Sequence, residues 1–221
     1  VDIFKHDMYR GPNIGIYAAA CDGCVFLPRG FARAKAERIS ARLGARAVLA
    51  SVAGTRVLGT MMVAVGRTVL LPATVMAPEA ELIASEAGME TAVIESRYTA
   101  LGNLVCANEH GAIVSPEMPR ADAAAIGDAL GVEAVQSRIA GYHQAGAMIA
   151  ANSSGGVIHP EASDEEVSLV SGVLRARIEL ATVNGGVPFV SSGLLVNNRA
   201  VMAGSFTSGP EIMMLTRAFL N

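Results

Sequence analysis

Gly155-Gly156-Val157-Ile158-His159-Pro160 closes a short phrase that recurs along the chain at an even stride. Counting back from Pro160 gives Ile113-Val114-Ser115-Pro116, then Val69-Leu70-Leu71-Pro72, then Val25-Phe26-Leu27-Pro28, with the prolines 44 residues apart each time. One step forward lands on Gly204 at the end of Val201-Met202-Ala203-Gly204, a fifth copy with Gly in place of Pro. Five strides of 44 use up 220 of the 221 residues. A period that fills the whole length marks a repeat architecture and outranks any single-residue motif.

Within each period the order is strand, tight turn, strand, Pro, helix, Gly, strand. The periods open near Gly15, Gly59, Gly102 and Gly146. In the first, Ile16–Ala20 and Val25–Leu27 flank the hairpin turn Asp22-Gly23. Pro28 ends the second strand because it cannot donate to a ladder. A helix is predicted from Phe31 to Leu43, with Ala32, Ala36, Ile39 and Leu43 on one face and Gly44 as its stop. Lys35, Arg38 and Arg42 lie on a neighbouring face, which reads as a solvated helix surface, with a phosphate-contacting stripe as the contrasting functional reading. Ala47–Val52 is the third strand.

The second period repeats this with Met61–Val65, the turn Gly66-Arg67, Val69–Leu71, a helix opened by Pro78 and closed by Gly88, and Thr91–Glu95. The third has Leu104–Ala107, the turn from Asn108 to Gly111, Ala112–Val114, a helix from Arg120 to Leu130 and Val132–Arg138. The fourth has Ala147–Ala151, the turn Asn152–Gly156, and a helix whose start, Ser163-Asp164-Glu165-Glu166, fits a capping box; Val167, Val170 and Leu174 mark its buried stripe. The fifth has Ser192–Val196, the turn Asn197-Asn198, Ala200–Ala203 and a helix from Ser208, with Ile212, Leu215 and Phe219 on one side. Its third strand is missing, while Asp2–Tyr9 stands before the first period as an orphan strand. The two complete each other if the chain closes into a ring. The expectation is one domain over 1–221: an α/β, five-fold pseudo-symmetric β/α propeller with its helices outside.

Composition supports a packed domain, since 52% of residues are apolar. The net charge of −3 argues against a protein held to nucleic acid by bulk positive charge. The cysteines are Cys21, Cys24 and Cys106; Cys21-x-x-Cys24 has no second pair to complete a zinc site. No pair among His6, His110, His143 and His159 has ligand spacing, and each reads as a turn or surface residue. Cys106 precedes a hairpin turn among apolar neighbours and reads as a small core residue. No phosphate loop is present. No catalytic set, metal or cofactor is therefore expected, and with no signal peptide or membrane span the expected location is the cytoplasm. Equivalent polar turns remain, at Asp22-Gly23, Gly66-Arg67, Asn108-Glu109, Asn152-Ser153 and Asn197-Asn198. Asn and Gly suit such turns by tolerating positive φ, and five turns at one end of a rigid ring offer a docking surface.

Several phrases resemble archaeal and eukaryotic translation initiation factor 6: Ser51-Val52-Ala53-Gly54-Thr55-Arg56-Val57-Leu58-Gly59, Ala100-Leu101-Gly102-Asn103, Gly155 to Pro160 and Thr182-Val183-Asn184-Gly185. Pro12-Asn13-Ile14-Gly15 and Val196-Asn197 do so too, and the likeness runs collinearly through the whole chain. The resemblance implies a pentein-type fold and an anti-association role. Such a factor binds the joining face of the large ribosomal subunit, against a ribosomal protein beside the sarcin-ricin loop with some ribosomal RNA contact, and blocks premature pairing with the small subunit. Asn108 sits where that family has the Asn of its third hairpin turn, and Arg56 takes its Gly-x-Arg position. Candidate contacts are Asn13, Arg56, Arg67, Asn103, Asn108, Asn152 and Asn197. The sequence departs from the family pattern at Glu109, Asn198 and Thr60. It also lacks the C-terminal tail of eukaryotic members, so tail-based regulation is expected to be absent. A monomer without a membrane partner is expected. The contrasting reading is a guanidino-modifying enzyme, since the pentein fold also hosts those, but the last period from Val187 onward contains neither the Cys nor the His such enzymes place late in the chain.

Overall fold

The computed structural model describes residues 2–219. Strand β1 (Asp2–His6) comes first, and five blades follow. Blade one is α1 (Ile14–Tyr17), β2 (Ala19–Ala20), β3 (Cys24–Pro28), α2 (Arg33–Leu43) and β4 (Arg46–Ala50). Blade two is α3 (Leu58–Met61), β5 (Val63–Val65), β6 (Thr68–Pro72), α4 (Ala77–Ala87) and β7 (Glu90–Ile94). Blade three is α5 (Leu101–Leu104), β8 (Val105–Ala107), β9 (Gly111–Val114), α6 (Arg120–Leu130) and β10 (Glu133–Gln136). Blade four is α7 (Ala145–Met148), β11 (Ile149–Ala151), β12 (Gly155–Ile158), α8 (Asp164–Leu174) and β13 (Arg177–Leu180). Blade five is a 3-10 turn (Val190–Gly193), β14 (Leu194–Val196), β15 (Ala200–Gly204) and α9 (Gly209–Phe219).

Every blade is a three-stranded sheet, antiparallel between inner and middle strands and parallel between middle and outer. β1 supplies the outer strand of blade five, pairing parallel with β15 from Asp2 opposite Ala200 to His6 opposite Gly204. The ring is thus closed by the first strand, as the orphan strand and the missing one required.

The apolar core is five separate seams, each between adjacent blades. The long helices lie outside and plug these seams. α2 buries Ala36, Ile39 and Leu43, whereas Ala32 precedes the helix and is exposed. Gly44, Gly88 and Gly131 stop three of the helices in left-handed conformation at φ 59°, 63° and 68°, and Arg175 does so in blade four at φ 48°. α8 carries the capping box, with Ser163 Oγ accepting from Glu166 N–H at 3.2 Å and Glu166 Oε2 from Ser163 N–H at 2.9 Å.

The largest departure from the sequence reading is at the start of each blade. Ile16–Ala20, Met61–Val65, Ala147–Ala151 and Ser192–Val196 read as strands, but their first residues belong to one-turn helices. A four-residue apolar helix is too short to show a 3.6-residue period and merges with the strand after it. These short helices form a ring around the pseudo-axis, and glycine sets how closely they meet. A Cβ at Gly15 would lie 1.9 Å from the Ser191 carbonyl oxygen, at Gly59 1.8 Å from that of Gly15, at Gly102 2.0 Å from that of Gly59, and at Gly146 2.4 Å from that of Gly102. At the fifth position stands Ser191, which has a Cβ, and there the helix is 3-10.

Gly59→Ala forces backbone apart at the axis and is predicted to lower stability by roughly 3–5 kcal/mol or to prevent folding. Gly172→Ala, on α8 with open space around it, should instead stabilise by about 0.5–1 kcal/mol. Urea melts of both variants test the pair.

Candidate functional site

Each inner strand runs from a short helix at one end of the ring to a hairpin turn at the other, so the seven candidate residues fall at two opposite ends. At the turn end, Asn108, Asn152 and Asn197 are buried, at 3%, 5% and 4% exposure. Asn108 Nδ2 donates to the carbonyls of Asn152 at 2.9 Å and Leu174 at 2.8 Å. Asn152 Nδ2 donates to the Asn197 carbonyl at 3.1 Å, and Asn197 Nδ2 to those of Leu43 at 2.8 Å and Cys21 at 3.4 Å. Each Oδ1 meanwhile accepts backbone N–H groups of its own turn: His110 and Gly111, Ser154 and Gly155, Arg199 and Ala200.

These amides form a girdle that ties blade three to four, four to five and five to one. Positive φ, the expected reason for Asn and Gly here, occurs in the five turns only at Gly66 among the described residues. The asparagines act through side-chain hydrogen bonds instead. In blades one and two Cys21 and Val65 take the equivalent places. Cys21 Sγ packs 4.0 Å from Met89 Sδ, and Cys24 Sγ points at the Ala87 carbonyl. What the turn end exposes lies beside the girdle, and includes Arg67, Glu109, His110, Asn198 and Arg199. Asn198 Nδ2 bonds Asp22 at 2.7 Å and Ser153 Oγ at 2.9 Å, and Ser153 Oγ bonds Glu109. The mouth there is narrow, about 50 Å³.

The short-helix end is concave. A pocket of about 560 Å³ opens there, with Asn13, Asn103, Thr60 and Gln144 among its polar walls and Tyr142 and Phe189 among its apolar ones. It lies against Ser191, where the glycine ring is broken. Tyr142 and Phe189 meet edge to face at 5.7 Å and are 40% and 38% exposed. Beneath them His159, read from sequence as a turn or surface residue, is buried at 2% exposure, its ring 5.4 Å from Tyr142. Its place at the end of the buried β12 explains the difference. Asn13 is exposed just before α1, Asn103 is half-buried on α5, and Arg56 is exposed just before α3.

The loops rimming this end are held by carboxylates of the outer helices, of which the sequence marked Glu166 as part of a capping box. Four are tight turns with consecutive positive φ: Tyr9-Arg10, Ala53-Gly54, Ala140-Gly141 and Asn184-Gly185. Glu79 accepts from the N–H groups of Ala53 at 2.7 Å and Gly54 at 2.9 Å, Glu166 from Ala140 at 3.0 Å, and Glu211 from Gly185 at 3.0 Å and Gly186 at 2.8 Å. Burial opposes the Glu211 charge, but bonds from Ser208 N–H, the Thr182 hydroxyl and the two glycines outweigh it and hold its carboxyl down to about 2. Glu79 is shifted down by the same balance, burial against bonds from Ser51, Gly54, Met76 and Ala53.

Among the described residues, neither end brings a reacting set together. Cys106 is buried, and burial pushes its thiol up to about 12. Among the described residues no group of three His, Cys, Asp or Glu side chains is placed to hold a metal ion, and no helix is long and apolar enough to cross a membrane.

A ring of five three-stranded blades, closed by its first strand and sheathed in helices, is a pentein-type β/α propeller. A solved structure of dimethylarginine dimethylaminohydrolase carrying an S-methyl-L-thiocitrulline adduct shares this fold, with TM-score 0.50 and 12% identity over 76% of this chain and 68% of that one. The family is identified from sequence: the eIF-6 family model matches residues 3–218, and the chain belongs to that family. Translation initiation factor 6 of Cenarchaeum symbiosum is 54% identical over 99% of both chains, and that of Nitrosopumilus maritimus 47% identical over the full length of both. The Pyrococcus abyssi factor is 36% identical over 98% of this chain and 97% of its own.

Two predictions concern the two ends. Asn197→Ala strands two carbonyls and two N–H groups and should cost roughly 2–4 kcal/mol, against less than about 1 kcal/mol for Asn198→Ala at the exposed edge, in denaturant melts. For Glu211 the folded carboxyl titrates below its unfolded value of 4.5. Its contribution, on the order of 3 kcal/mol, is therefore full above about pH 4.5 and lost as pH falls toward 2. Glu211→Gln should be less stable at pH 7 and show a flatter loss of stability between those limits.

Proposed function

We propose that this chain binds the large ribosomal subunit at its joining face and prevents premature association with the small subunit, acting in the cytoplasm as a monomeric, non-catalytic factor. The observation that carries the placement is the concave short-helix end. Asn13, Arg56 and Asn103 are available there around a pocket walled by the exposed rings of Tyr142 and Phe189. Partly exposed aromatic and Arg side chains around a cavity are the usual anchors of a protein interface. Of the stretches that carry the family likeness, Pro12–Gly15, Ser51–Gly59, Ala100–Asn103 and Thr182–Gly185 lie at this end, whereas Gly155–Pro160 runs from the turn end along β12 and Val196-Asn197 lies at the turn end.

A ribosomal protein beside the sarcin-ricin loop fills the pocket in this reading, with Arg56 at the edge against RNA. Asn108, Asn152 and Asn197 serve by holding the ring rigid, and Arg67 stands at the far end from the contact. A rigid body whose footprint overlaps the small subunit's excludes it by occupancy alone, so no chemistry is needed. The enzyme reading draws no support from Cys106, a buried thiol held protonated.

Co-sedimentation with purified large and small subunits tests this. The protein should pellet with large subunits only and block their pairing with small subunits. Tyr142→Ala combined with Phe189→Ala, and separately Asn103→Ala, should weaken binding at least about tenfold, while Arg67→Ala and Asn198→Ala should leave it unchanged. Unimpaired binding by the first two variants, or loss in the second two, would overturn the placement.

A further inference from the structure

The long helices of blades two to five each carry an acidic residue in the first turn: Glu79, Asp122, Asp164 to Glu166, and Glu211. α2 has none. Its N-cap is Ala32, without a side-chain cap, and its first turn holds Arg33 and Lys35. Cations at a helix N-terminus work against the helix dipole, so this arrangement opposes the helix's own stability.

Lys35, Arg38 and Arg42 follow at i, i+3 and i+7 and form a single exposed stripe. Glu37 and Arg33 face the other way, into the groove toward α4. The stripe borders β1. Arg42 lies over the Phe4 ring at 4.9 Å, and His6 is on the same face of that strand two residues further on. Burial and then Arg42 push the His6 imidazole below its ordinary value, Asp7 pulls the other way, and Arg38 and Lys35 add to the depression. All three cations act on His6 in the same direction. Among the described residues none of them is in an ion pair, and His6 Nε2 is buried without a hydrogen-bond partner. The chain as a whole is acidic, at −3, so the stripe is a local exception.

We propose that the α2 stripe of Lys35, Arg38 and Arg42, with His6 beside it, is a binding site for the phosphate backbone of RNA on the outer wall of the ring. Three unpaired cations on a rigid helix, one of them held in place over an aromatic ring, match successive phosphates by charge and repeat. An anionic lipid surface would share the phosphate chemistry, but α2 exposes no large apolar side chain for it to take up. The site is separate from the short-helix pocket and does not depend on what docks there.

Fluorescence anisotropy of a short labelled oligouridylate, titrated with the full chain from about 50 to 200 mM KCl, tests this. Log affinity should fall with log salt at a slope of about −2, as three phosphate contacts on a single strand require. The triple variant Lys35→Gln, Arg38→Gln, Arg42→Gln should keep its circular dichroism, bind at least about tenfold more weakly at low salt and lose most of that slope. Asn103→Ala should bind the oligonucleotide like the parent. Equal binding by the triple variant, loss in Asn103→Ala, or binding to phosphatidylserine vesicles without binding to the RNA would each overturn the proposal.

Discussion

Everything in this molecule depends on backbone meeting backbone at the pseudo-axis. Four glycines let one short helix rest on the carbonyl of the next at distances that leave no room for a Cβ. That contact sets the radius of the ring, and the radius sets the spacing of the five seams in which the core is buried. Because the core is divided among seams rather than gathered at the centre, each blade is stable only between its neighbours. Closure by β1 gives blades one and five that same support.

The two ends of the ring differ in every blade, and at one of them the symmetry is also broken at a single position. The turn end is locked by three asparagine side chains and presents a narrow mouth. At the other end Ser191 interrupts the glycine series, a 3-10 turn replaces the helix, and the pocket lies against it. Carboxylates of the outer helices reach back to hold the rim turns, so the concave end is rigid although it is made of loops. A rigid concave face loses little conformational freedom on binding, which suits the proposed action by occupancy.

The repeat was legible because a 44-residue stride of strand, Pro, helix and Gly needs no alignment to be seen, and the missing last strand pointed directly at the orphan first one. The short helices were not, since Ile14–Tyr17 and its equivalents are one turn long and run into apolar strands. Asn108, Asn152 and Asn197 were seen as equivalent, but their direction was not; a side chain facing a neighbouring blade looks in sequence like one facing solvent. Phe189 escaped notice because it does not recur with the period, and Tyr142 because its one counterpart, Tyr98 44 residues earlier, sits in a loop without a hydrophobic pattern. The one signal that marked their place was Ser191, the member of the axial series that is not Gly. Glu166 was legible as the end of a capping box, while Glu79 was not singled out; the bonds of these two and of Glu211 to turns about 26 residues earlier follow only from the fold.

Hydrogen exchange of the protein alone and bound to purified large ribosomal subunits addresses the central claim most directly. Protection on binding should concentrate in 9–16, 53–60, 97–103, 139–147 and 184–192, the loops and short helices of the concave end, and leave the hairpin turns at 22–23, 66–67, 108–110, 152–154 and 197–199 unchanged. Protection of the turns with the concave end unaffected would contradict it.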